Sequence, residues 1–267
     1  MSETVEVKQT NFKEMLSTIN KLNQQQVQDI FIPSLGKEVS FNPLSIKQQK
    51  SILSSGVDVD IESMAFSNTM NGIILDNCLN KNIKILAVDR PLILLQLRQK
   101  SLGNNLKITD EDEIEHTIDL ESHISKQRES GIHVKTTFDI ESSGIKIECL
   151  TPDLQTDTKF NKQFTKAVKK ATNNKLKLND VIGDIYVFEM VKYIKSVGVM
   201  DDMFVVDQTT QASHLVNLFE SLPINVSSTL ADAIKVSREI ETASITCDTL
   251  PEGVSIPIDA SIFTGDN

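Results

Sequence analysis

The chain has 267 residues, a hydrophobic fraction of 39% and a formal net charge of −10 at pH 7. Its length allows one large domain or two small ones, and such a chain can bury a core without disulfides or metals. The acidic balance argues against a nucleic-acid-binding protein, and no apolar run reaches the roughly 18 residues of a membrane-spanning helix.

Residues 1–29 are predicted to form an N-terminal arm that is mobile in the isolated chain. Apolar residues recur in it at helical spacing, which predicts a short amphipathic helix. These residues are Phe12, Met15, Leu16, Ile19 and Leu22. The stripe is too small to bury itself well, so the arm could dock on a partner.

Residues 30–103 are predicted to form a first compact unit that begins with a hairpin over 30–42. An apolar run, a turn with proline and glycine, and a second alternating run indicate this hairpin. Three helices are predicted to follow, over residues 45–54, 60–80 and 91–100. Asp89 is expected to cap the third helix and Gly103 to end it.

Residues 104–130 are rich in acidic side chains and show weak apolar periodicity. Blocks of like charge are usually solvated. The pattern therefore predicts an exposed acidic linker, part of which could extend a neighbouring sheet.

Residues 131–267 are predicted to contain a hairpin, a helical unit and a C-terminal extended segment. Alternating residues on both sides of Ser142-Ser143-Gly144 predict the hairpin. Asp157 is expected to cap a lysine-rich helix. The most continuous apolar stripe predicts a helix over 179–196, with Ile185 and Phe188 buried. Further predicted elements are a strand at 203–206, helices near 211–221 and 229–242, and extended structure over 244–263.

These elements predict an α+β fold that is predominantly helical, with a small antiparallel sheet built from hairpins. The sheet is expected to combine the hairpin at 30–42, the hairpin at 131–150 and the C-terminal strand.

Residues that could carry chemistry are few. No phosphate-binding, dinucleotide-binding, zinc-protease or nucleophile-elbow motif occurs, so we expect no enzyme, no catalytic residue and no cofactor. His116 and His123 lie near acidic residues and could contribute to a metal site, but their spacing favours solvated side chains. Cys149 is expected to be a buried, inert thiol. Cys247 has no second cysteine nearby, which predicts that no zinc is bound.

One predicted helix carries a cluster of lysines with two interpretations. The cluster consists of Lys159, Lys162, Lys166, Lys169 and Lys170. It could contact an anionic partner, or it could form the solvated face of a helix. Charge runs usually mark solvated faces, and no aromatic residues alternate with the lysines, so the second interpretation is favoured.

Three segments of the chain carry a family resemblance. They are IPSLGKEVSFNPLSIKQQKSIL at residues 32–53, IKIECLTPDLQTDTKFNKQF at residues 145–164 and ITCDTLPEGVSIPIDASIF at residues 245–263. The first resembles the opening of the T4-type phage baseplate hub family, the second resembles its strand, proline-containing link and helix, and the third resembles its C-terminal strand segment.

The resemblance implies a structural or assembly component of a tailed-phage baseplate hub that acts through protein–protein contacts. Its partners would be other hub or tail proteins, and no nucleic acid or cofactor is expected. Such a protein is made in the host cytoplasm and, if retained, resides in the baseplate of the virion tail. A non-virion assembly factor and a hub-associated enzyme remain alternatives. The sequence does not define stoichiometry or oligomeric state.

A partner is expected to bind the arm together with the hairpin at 30–42, whose edge has few strands close to it in sequence. The alternative is that both pack on the chain's own helices. The residues predicted to make the contact are Phe12, Leu16, Ile19, Phe31, Val39 and Phe41.

Overall fold

A computed structural model describes residues 11–55, 62–109, 114–130, 136–173, 186–207, 210–242, 244–245 and 255–264. The helices in these ranges are α1 Phe12–Gln25, α2 Ile46–Ser55, α3 Glu62–Asn77, α4 Arg90–Leu102, α5 Leu120–Ser130, α6 Leu154–Asn173, α7 186–191, α8 Ala212–Glu220 and α9 Ile224–Glu241. The strands are β1 Gln28–Ile32, β2 Lys37–Phe41, β3 Asn105–Thr109, β4 Glu115–Asp119, β5 Thr137–Ser142, β6 Ile145–Leu150, β7 Ile194–Val199, β8 Asp202–Val205, β9 Ser244–Ile245 and β10 Ile256–Pro257. The chain therefore has the predicted α+β fold with helices predominating.

The strands form separate small antiparallel sheets rather than one joined sheet. Strands β1 and β2, β3 and β4, and β9 and β10 pair with each other, and β5 to β8 form a four-stranded sheet in chain order. The predicted hairpin turn joins β5 to β6, where Ser143 and Gly144 have φ angles of 53° and 72°. Such a two-residue turn matches the twist of the strands, and glycine adopts positive φ without strain. The expected union of the 30–42 hairpin, the 131–150 hairpin and the C-terminal strand in one sheet was wrong.

Two hydrophobic clusters form the interior. The first contains apolar residues of β1, β2, α2, α3 and α4, and the second contains the inner face of the four-stranded sheet with α7, α8 and α9. Ile245, Ile256 and Phe263 from the C-terminal segment belong to the first cluster. The C-terminal segment therefore packs on the first predicted unit, across the boundary that was predicted at residue 131.

Most of the predicted acidic linker is folded. Residues 105–109 form β3, 115–119 form β4 and 120–130 form α5, and the apolar side chains of these three elements pack in the first cluster. Leu106, Ile118 and Leu120 have exposed fractions of 3%, 1% and 0%. The linker prediction was wrong. The many acidic residues dominated the pattern, although the few apolar residues between them are spaced so that they lie on one side of the strands and the helix.

The predicted helix over 179–196 ends early. Residues 186–191 are helical, and residues 194–199 form β7, which pairs with β6. Strand pairing thus overrides the helical apolar stripe. Phe188 is only half-buried against the second cluster, whereas Met190 and Val191 are fully buried. Ile185 lies outside the described residues.

Asp157 and Asp89, which were predicted to cap helices, do not cap them with their side chains. Asp153 precedes α6 and accepts a hydrogen bond from the Thr156 N–H at 2.7 Å, so Asp153 is the cap and Asp157 is not. The carboxylate of Asp89 accepts from the Ser34 N–H at 2.8 Å and the Leu86 N–H at 2.9 Å. Burial raises the pKa of Asp89 despite these bonds. Its carboxylate therefore ties the β1–β2 turn to the start of α4.

Candidate partner-binding surfaces and a buried ionic cluster

Helix α1 carries an apolar stripe on an uncovered surface. Its N-terminus is closed by a capping box, in which the Glu14 N–H donates to Asn11 Oδ1 at 3.0 Å and the Asn11 N–H donates to Glu14 Oε2 at 3.4 Å. The exposed fractions along the stripe are 77% for Phe12, 48% for Met15, 43% for Leu16, 43% for Ile19 and 53% for Leu22. The predicted helix is confirmed, and its apolar stripe is open to solvent.

The edges of the β1–β2 hairpin are occupied within the chain, contrary to expectation. Along β1, the side-chain amide of Gln96 replaces a neighbouring strand. The Phe31 N–H donates to Gln96 Oε1 at 2.9 Å, and Gln96 Nε2 donates to the Phe31 carbonyl at 2.9 Å. Along β2, the Leu79 N–H donates to the Ser40 carbonyl at 3.0 Å. The hairpin thus needs no partner to satisfy these backbone groups.

The hairpin residues of the predicted contact surface are covered by the chain itself. Val39 and Phe41 have exposed fractions of 7% and 0% and belong to the first hydrophobic cluster. Phe31 is half-buried, and the guanidinium carbon of Arg128 on α5 lies 4.7 Å from its ring centroid. The prediction that Val39 and Phe41 form an exposed contact surface was wrong, because both side chains face the core of this fold.

A second apolar surface lies on the β7–β8 hairpin. The exposed fractions are 96% for Met200, 70% for Met203, 40% for Phe204 and 55% for Val205. The sequence predicted a strand here but not its exposure. The apolar run at residues 203–206 lies between aspartates and contains no alternating polar residues. A continuous apolar run of this kind is typical of a strand that is buried on both faces. In the structure, β8 is instead an edge strand exposed along its whole length.

A buried ionic cluster centres on Asp157 of α6. Its Oδ2 atom accepts hydrogen bonds from Arg90 Nη1 at 2.8 Å and from Asn71 Nδ2 at 2.8 Å. Its Oδ1 atom lies 3.1 Å from Lys192 Nζ, and that ammonium group lies 3.0 Å from Glu241 Oε2. The cluster therefore connects α3, α4 and α6 to the turn before β7 and the end of α9.

Burial and charge act in opposite directions on the pKa values in this cluster. Burial favours the neutral carboxyl of Asp157, but Lys192 and Arg90 outweigh this effect and lower its pKa to about 2. Burial likewise favours neutral Lys192, but Glu241 and its neighbouring carboxylates hold the pKa of Lys192 well above its ordinary value. Burial and Glu241 raise the pKa of Tyr193, whose hydroxyl donates to Glu241. Asp157 and Lys192 stay charged because each lies beside opposite charge, whereas Tyr193 stays neutral. Buried charges that are paired in this way behave as a structural link.

We expect acid to weaken this link between about pH 4 and about pH 2. The pKa of Asp157 is about 2 in the folded chain, whereas an unfolded aspartate has a pKa of about 3.9. A lowered folded-state pKa contributes stability above the unfolded value and loses it as the pH falls through the folded value. The difference in free energy of unfolding between the native chain and Asp157→Asn should shrink by about 2 kcal/mol from pH 5 to pH 2. Urea unfolding at both pH values measures it, and a constant difference would contradict the assignment.

Lys162, Lys166 and His123, which the sequence singled out, are not part of this cluster. Lys162 and Lys166 are exposed on α6, and Phe160 on its other side is buried, as for a solvated helix face. The side chains of Lys169 and Lys170 lie outside the described residues. A ring nitrogen of His123 lies 2.8 Å from Gln127 Nε2.

Metal and thiol chemistry find no support in the part of the chain that the structure describes. No three His, Cys, Asp or Glu residues there are grouped so that they could hold a metal ion. Cys149 is fully buried, and burial raises the pKa of its thiol to about 12, which makes it unreactive. Cys247 lies outside the described residues. No described helix is long and apolar enough to cross a membrane.

Comparison with known families identifies the chain. Residues 29–255 match the family described as T4 bacteriophage base plate protein. This match covers most of the sequence, so the chain belongs to that family and is a structural component of a phage baseplate. No curated protein and no solved structure matches the chain. The matched range begins at β1, so α1 lies just before it.

Proposed function

We propose that this baseplate component is part of the hub and that it acts through contacts with other baseplate proteins. The observation that carries the proposal is the uncovered apolar stripe of α1. In a folded chain such a stripe is normally buried against a neighbour. Contiguous exposed apolar side chains on a helix mark a protein-binding surface.

The contacts of α1 suggest how it binds. Phe12, Leu16 and Ile19 project from one face of a capped helix, at the spacing with which helices enter grooves on partner proteins. The hairpin predicted to share this surface is packed into the chain's own core. The proposed contact is therefore the helix without the hairpin.

Charge substitutions on the two faces of α1 test this contact. We expect Leu16→Glu with Ile19→Glu to abolish co-purification with the other baseplate proteins of the same phage. The matched control is Ser17→Glu with Lys21→Gln, which changes the net charge equally at exposed positions of the same helix. Thermal unfolding should be nearly unchanged in both variants, because these side chains make no core contact.

Two outcomes would contradict the proposed contact. One is normal co-purification of the variant with Leu16→Glu and Ile19→Glu. The other is equal loss of binding in both variants, which would indicate a general charge effect rather than apolar docking.

The composition of purified tails separates a hub subunit from the alternatives. A subunit is assembled in the host cytoplasm and retained in the virion baseplate, so mass spectrometry of purified tails should detect the chain in constant proportion to other baseplate proteins. An assembly factor would be absent from finished tails. A hub-associated enzyme would require converging reactive side chains, whereas the buried ionic groups near Asp157 are paired with one another.

A further inference from the structure

The outer backbone edge of the β7–β8 hairpin is not paired with any strand that the structure describes. The Val206 N–H donates to the Lys195 carbonyl at 2.8 Å, and Val197 lies opposite Phe204 across the two strands. Hydrogen-bonded pairs alternate with non-bonded pairs in an antiparallel ladder. The backbone N–H and C=O groups of Met203 and Val205 therefore point away from β7, and no strand of the described residues pairs with that edge.

The side chains of β8 are exposed to solvent, as its outer backbone edge is. Met203, Phe204 and Val205 are exposed although they alternate between the two faces of the sheet. β8 is short, at four residues, but its apolar side chains are left exposed, and exposed edge strands can pair with other chains. The opposite edge of this sheet is β5, against which α9 packs. The apolar edge at β8 is therefore suited to receive an added strand.

Aspartates surround this edge and define what can bind it. Asp201 and Asp202 precede Met203, and Asp207 follows the strand, all with exposed side chains. A second copy pairing antiparallel with Met203 opposite Val205 would bring Asp201 of each copy opposite Asp207 of the other. Like charges directly opposite each other are destabilising, and the whole chain carries a net charge of −10. In this register the edge disfavours self-association, and the exposed aspartates favour a basic partner.

We propose that β8 binds an extended segment of another baseplate protein, which adds a fifth strand to the sheet. This inference rests on the proposed function, because it specifies one of the partner contacts. The segment has apolar residues at alternating positions, which cover Met203 and Val205, and Lys or Arg residues at its ends, which face Asp201 and Asp207. Backbone hydrogen bonds to Met203 and Val205 set its register.

A proline substitution tests the backbone contact. Val205→Pro removes an outward N–H while leaving the hydrogen bonds to β7 intact, and proline is tolerated on an edge strand. Val205→Thr is the matched control, because it keeps the N–H and the β-branched shape. In the full chain co-expressed with the other baseplate proteins of the phage, Val205→Pro should reduce complex recovery by about tenfold relative to Val205→Thr.

A charge reversal tests the partner's chemistry. Asp201→Lys should weaken the same complex, whereas Asp232→Lys, at an exposed position on α9, should leave it unchanged. Equal effects of the two reversals would overturn the proposal of a basic-ended segment.

Hydrogen exchange on the native chain gives a readout that does not depend on the folding of any variant. Amides of Met203 and Val205 should exchange at least about tenfold more slowly in the complex than in the isolated chain. Unchanged exchange there, in a complex that forms normally, would overturn the inference but leave the proposed function standing. Failure of the native chain to bind any baseplate protein would overturn both.

Discussion

Replacing Lys192 by methionine should lower the free energy of unfolding by about 3–5 kcal/mol. The ammonium group of Lys192 is shared by Asp157, Glu189 and Glu241, at distances between 2.9 and 3.1 Å. Methionine fills a similar volume but leaves buried carboxylates without their shared cation. Urea unfolding at neutral pH, followed by circular dichroism, measures the loss.

Lys195 provides a matched control three residues along the chain. It pairs with Glu148, but its side chain is 45% exposed, compared with 3% for Lys192. Exposed ion pairs contribute little, so Lys195→Met should change the free energy of unfolding by less than about 1 kcal/mol. Equal effects of the two substitutions would show that the ionic cluster does not stabilise the fold.

Replacing Phe41 by alanine should also destabilise the chain by about 3–5 kcal/mol, because it opens a cavity in the first hydrophobic cluster. Phe41 is fully buried, whereas Phe12 on α1 is 77% exposed. The same substitution at Phe12 should therefore change stability by less than about 0.5 kcal/mol.

The pair also separates a core residue from a partner-binding residue. Phe12→Ala should reduce co-purification with other baseplate proteins while leaving the unfolding transition in place. If Phe41→Ala leaves stability unchanged and Phe12→Ala lowers it, the assignment of Phe41 to the core and Phe12 to the contact surface is wrong.

The candidate contact surface could be predicted only in part. Phe12, Leu16 and Ile19 could be placed on one face of a helix because an amphipathic helix depends on local spacing. Val39 and Phe41 show the same kind of local pattern, but alternation does not say whether the apolar side of a strand meets a partner or the chain's own helices. Gln96, which occupies the edge of β1, is 65 residues from Phe31 and carries no signal of this role.

The sequence alone predicted helices α1 to α4, α6, α8 and α9, the β1–β2 and β5–β6 hairpins with the turn at Ser143 and Gly144, and the resemblance to the baseplate family. Each of these depends on residues close together along the chain. Only the tertiary structure showed that residues 105–109 and 115–130 fold, that residues 194–199 form a strand, and that no described strand pairs with the outer edge of β8. It also brought Asp157, Arg90 and Lys192 into one buried cluster. The physical reason is that burial, strand pairing and charge neutralisation depend on which distant segments come into contact. Local patterns of residues do not specify those contacts.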